Sequence, residues 1–93
     1  MLFRSSASRV DVENIVRAVQ SHDHVRQLIH MRTLHLGPEE LLVAAKVELD
    51  STLTFVQVAT IVDDIEALIR AEVPTAKRIY LEPAVWDKTR VSG

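Results

Sequence analysis

Ninety-three residues, 47% hydrophobic and 26% charged with two glycines and three prolines, describe a single globular domain spanning residues 1–93 rather than a disordered segment. Eleven basic against 13 acidic residues leave a net charge of −2, too little field to gather phosphates, so nucleic acid is excluded as a partner. The absence of cysteine excludes a disulfide scaffold, a thiolate zinc knuckle and thiol catalysis, and is compatible with the reducing cytoplasm.

A chain this short buries only about 60% of the surface its unfolded form exposes, so its own core is thin. Its longest apolar run, Leu41 to Ala45, is far below the roughly 20 residues that cross a bilayer, and the N-terminus has no apolar signal core. The expectation is a soluble chain with no direct membrane insertion.

In chain order, Val12, Ile15, Val16 and Val19 fall at i, i+3, i+4 and i+7, the spacing of one helical face. Ser8 with Asp11 three residues on resembles a cap, so the first helix is predicted over Ser8 to Ser21. From Val25 to Leu36 the run reads as a strand stopped by Gly37-Pro38. Val43, Ala45, Val47 and Leu49 then alternate with Ala44, Lys46, Glu48 and Asp50, the pattern of a strand with one wet side. Thr54 suits the N-cap of a second helix whose stripe is Phe55, Val58, Val62, Ile65 and Ile69 and which ends before Pro74. Lys77 to Glu82 alternates again, and Pro83 is expected to stop it.

The order α-β-β-α-β, with two singly striped helices, fits an α+β two-layer sandwich: a ferredoxin-like layer lacking its first strand, with both helices on one face of a three-stranded sheet. The ordered core is expected over about residues 8–84, with a flexible tail over 85–93. If Val43, Ala45, Val47, Ile79 and Leu81 face the helices, then Lys46, Glu48, Tyr80 and Glu82 face away. Ile29 and Met31 pointing inward would add His30 and Arg32 to the same open face. Such a face, with a thin core behind it, favours pairing with a second copy, and a C2 homodimer is expected.

The stretches HMRTLHLGPEELLVAAKVELD, LTFVQVATIVDDIEALIRAEVP and RIYLEP resemble the C-terminal cytoplasmic domain of cation diffusion facilitator transporters, over roughly Val10 to Pro83. The resemblance implies a cytoplasmic dimerisation and regulatory domain of a divalent-cation efflux transporter of the Zn/Mn/Co/Fe type, excised or encoded alone, with the transporter's transmembrane domain as a partner. It also implies divalent metal, zinc first, sensed at the dimer interface. His30 stands at the family's first-strand ligand histidine and Glu82 at its carboxylate before the final Pro. The other ligand positions depart from the pattern: Lys46, Ala59 and Tyr80 stand where members carry histidine. Arg32, Lys46, Glu48 and Tyr80 are then interface residues.

Zinc takes about four N, O or S ligands, and His30 with Glu82 supplies two per chain. An ammonium about 4 Å from a divalent ion costs roughly 8 kcal/mol at an effective dielectric of 20, so Lys46 opposes a metal and can instead pair with Glu82. His22, Asp23 and His24 form a weaker candidate cluster whose simpler reading is a solvated helix end. His35 is a further weak metal candidate whose simpler reading is an exposed strand-end residue. Asp63, Asp64 and Glu66 resemble an acidic metal set, but Glu66 and Arg70 stand at i, i+4 as a surface ion pair.

No Gly-rich phosphate loop, His-Glu-x-x-His run or nucleophile elbow occurs, and the chain reads as a non-enzyme. Two functions compete: the transporter-type domain, and a metal-independent ferredoxin-like module binding a protein partner or small ligand.

Overall fold

The computed structural model describes residues 7–85. The chain runs α1 (Arg9–Gln20), β1 (Val25–Gly37), β2 (Glu40–Leu49), α2 (Phe55–Glu72) and β3 (Arg78–Val85). The order is the α-β-β-α-β expected of a ferredoxin-like α+β layer.

Both helices start on side-chain caps. The Ser8 hydroxyl accepts from the Asp11 backbone N–H at 3.1 Å, and Thr54 and Gln57 form a reciprocal capping box. α1 buries Ile15, Ala18 and Val19, and α2 buries Ile61, Ile65 and Ile69, so each turns one apolar stripe towards the sheet. β2 is the central strand, antiparallel to β1 and parallel to β3. Its odd-numbered residues carry the core: Leu41, Val43, Val47 and Leu49 are fully buried, and Ala45 nearly so. Among the described residues no polar or charged residue is fully buried.

Several expectations change. Ile29 does not face the helices: it is 41% exposed, and the β1–β2 register slips between Leu28 and His30, where a bulge lets Leu28 and Met31 pack inward instead. Phe55 leaves the buried stripe of α2 and is 85% exposed, as is its neighbour Val56 at 72%, so the stripe starts at Val58 and continues through Ile61 rather than the expected Val62. Pro83 does not end the third strand. It sits inside β3 opposite Val47, which an edge strand tolerates because the missing N–H can lie on the unpaired side. Val85, expected in the tail, therefore belongs to β3, and the core reaches back to Ala7, whose N–H donates to the Thr33 hydroxyl at 2.9 Å. The rest of the expected tail, residues 86–93, lies outside the described residues.

Candidate functional site

The strand register lays the open face out in rows. His30 pairs with Lys46 and Lys46 with Glu82, so three side chains from three strands stand side by side. The adjacent row is Arg32, Ala44 and Tyr80, and beyond it come Leu34, Leu42 and Arg78. The bulge at Ile29 makes this possible: it resets the alternation of β1 so that His30, Arg32 and Leu34 all point away from the helices.

His30, Arg32, Ala44, Tyr80 and Glu82 line a shallow open depression of about 220 Å³, with Ala45 and Leu81 beneath. Tyr80 is 58% exposed, and Leu34 in the next row adds apolar surface. Lys46 Nζ lies 3.9 Å from Glu82 Oε2, an ion pair across the β2–β3 register. At the far end of β3, Arg78 bonds Glu40, which raises the guanidinium's pKa above its ordinary value.

Glu48 shares the open side of β2 but not the depression. Gln27 donates to it at 2.9 Å and Arg26 lies 3.5 Å away, tying it to the start of β1. His35 is half-buried and alternates with His30, so it lies on the helix side of β1 rather than as an exposed strand end, and it does not join the row.

The three residues of the second cluster divide. His22 bonds Asp64 of α2 at 3.2 Å, and its Nδ1 accepts the His24 backbone N–H at 3.2 Å, which leaves the hydrogen on Nε2 for the carboxylate. His24 Nδ1 lies 3.8 Å from Asp50, and the two imidazoles sit 5.8 Å apart, centre to centre. Asp23 faces a different, polar depression with Arg26, Gln27, Glu48 and Asp50. Glu66 and Arg70 form the i, i+4 pair at 3.5 Å. The link between His22 and Asp64 spans 42 residues, and no local pattern in the sequence announces it.

Among the described residues no group of three His, Asp or Glu side chains converges to hold a metal ion. Within one chain the row offers an imidazole and a carboxylate, and the lysine on the strand between them pairs with the carboxylate. That donor set does not fit a zinc site, which needs about four neutral or anionic donors.

Residues 7–83 match the family of cation efflux protein cytoplasmic domains. The chain belongs to that family. Among solved structures, a histidine-to-alanine variant of the MamM C-terminal domain is 18% identical and superposes with a TM-score of 0.79, covering 87% of this chain and 100% of that one. A nickel form of another MamM variant is 18% identical with a TM-score of 0.78, covering 86% and 100%. A copper form of a third is 18% identical with a TM-score of 0.76, covering 83% and 95%. At these identities the likeness establishes the shared fold. No curated protein matches the sequence. Among the described residues no helix is long and apolar enough to cross a membrane.

Proposed function

We propose that this domain dimerises on the cytoplasmic side of a divalent-cation efflux transporter and sets the spacing of the transporter's two halves. Membership of the cation efflux family supports the setting. The observation that carries the reading is the uncovered side of the sheet, where Leu34 and Tyr80 stand exposed in neighbouring rows in a chain whose core is a single layer deep. Two copies joined face to face by a two-fold axis cover that surface with one self-complementary contact. The domain acts by association and performs no catalysis.

Regulation on this reading is mass action. A ligand that binds the dimer and not the separated copies stabilises it by RT ln(1 + [L]/Kd), about 2.7 kcal/mol at a hundredfold excess over Kd. His30 and Glu82 are the imidazole and the carboxylate of the row, so a divalent cation, zinc first, would reach the dimer there only where Lys46 gave way. MamM domains described as nickel and copper forms share the fold and support looking for such an ion.

Sedimentation velocity from low to high micromolar concentration tests the association. A species of twice the chain mass that is lost in Tyr80→Asp, with the helical circular dichroism kept, supports it. A monomer at every concentration sinks it and leaves the face as a docking surface for a different protein.

A further inference from the structure

We infer that Lys46 takes the place of a metal ion on the open face, so that two copies of this chain associate without any divalent cation. The inference rests on the dimer reading above and concerns its regulation. Three observations carry it.

The first is position. His30, Lys46 and Glu82 are successive register partners across three strands, so the lysine stands on the strand between the histidine and the glutamate. The second is engagement. Lys46 Nζ lies 3.9 Å from Glu82 Oε2, so the carboxylate that would bind a cation already has one beside it. The third is the lack of substitutes. Glu48 is bonded by Gln27, with Arg26 beside it. His22 and His24 pair with Asp64 and Asp50, and His35 lies on the other side of β1. Ala59 on α2 has no donor atom.

A two-fold pair does not rescue the site. It brings together two imidazoles and two carboxylates, but also two ammonium groups that cancel the charge a divalent ion needs. The protein's own cation serves the purpose at all metal concentrations, and a metal-responsive contact becomes a constitutive one.

Replacing the central residue by histidine turns the row into imidazole, imidazole, carboxylate, three donors on adjacent strands with a position open for water or a donor from the second copy. The test compares the metal-stripped full chain with Lys46→His, each in EDTA and in zinc, by sedimentation equilibrium and native mass spectrometry. The expected result is a wild-type dimer whose dissociation constant moves by less than about threefold between EDTA and zinc, with no stoichiometric adduct. Lys46→His is expected to take up about one zinc per chain and to dimerise at least about tenfold more tightly in zinc. Lys46→Gln, which removes the charge without adding a donor, should weaken the dimer and gain nothing from zinc.

A stoichiometric zinc adduct of the wild type that tightens its dimer and vanishes in His30→Ala overturns the inference while leaving the dimer standing. A folded Lys46→His chain that binds no zinc overturns it as well, because something other than the lysine then keeps metal out. A wild-type monomer in both buffers removes the dimer reading and this inference with it.

Discussion

Lys46 and Glu82 are joined twice: they are register partners in the parallel β2–β3 ladder, and their charged ends lie 3.9 Å apart on the open face. Within one chain this contact is weak. Glu82's side chain is 70% exposed, and solvent screens a pair of that kind to about 0.2–1 kcal/mol. Glu82→Gln should therefore shift the urea midpoint of the dilute monomer hardly at all, while weakening association at high concentration. A loss of monomer stability above about 2 kcal/mol would show instead that the pair is structural.

The dimer contact should depend on apolar surface more than on charge. Leu34 and Tyr80 occupy neighbouring rows and are both exposed, so truncating either to Ala removes surface that only a second copy covers. Each substitution is expected to weaken the dimer by about 1 kcal/mol or more, read as a rise in the dissociation constant, with the thermal midpoint of the monomer unchanged. An unchanged dissociation constant for both would place the contact elsewhere on the molecule.

Much of this arrangement is legible in the sequence, and the misreadings share a cause. The strict alternation of β2 and the three-and-four spacing of both helices follow from burial on one side, which a single chain records directly. The caps at Ser8 and Thr54 are local, and they are readable for the same reason. Ile29 and Phe55 fail because both are apolar at positions where the periodic rule expects burial, and only the tertiary path shows the bulge or where the packed stripe of α2 starts. Pro83 fails because its tolerance depends on β3 being an edge strand, a property of the whole sheet. The row of His30, Lys46 and Glu82 is visible from alternation once the strands are aligned, whereas His22 finds its partner on α2 and Glu48 finds its own at the start of β1 before the bulge, pairings that alternation does not address.

The core offers a sharper prediction. Ile65 is fully buried at the centre of the α2 stripe, and Leu41 is fully buried where β2 begins. Ile65→Ala and Leu41→Ala should each cost about 2–5 kcal/mol through lost transfer energy and the cavity left behind. Domains of this size have about 5–15 kcal/mol in all, so either variant should lower the urea midpoint steeply or prevent folding at 37 °C. Dimerisation would partly mask the loss, and the comparison belongs at concentrations below the dimer's dissociation constant.

The capping box at α2 separates helix stability from face chemistry. Thr54 accepts the Gln57 backbone N–H at 3.1 Å, and the Gln57 side chain accepts the Thr54 N–H at 2.8 Å, so truncating either side chain removes one of the two bonds. Neither residue lies on the open side of the sheet. Thr54→Ala should therefore lower unfolding free energy by about 1 kcal/mol, with Gln57→Ala costing somewhat less. The double variant loses both bonds and should cost about the sum of the two. Metal response and dimer affinity, measured per folded chain, should stay at their wild-type values in all three variants. Were Thr54→Ala to change dimer affinity as much as Tyr80→Ala does, the surface joining two copies would have to include the start of α2, where Phe55 and Val56 stand exposed, rather than the open sheet.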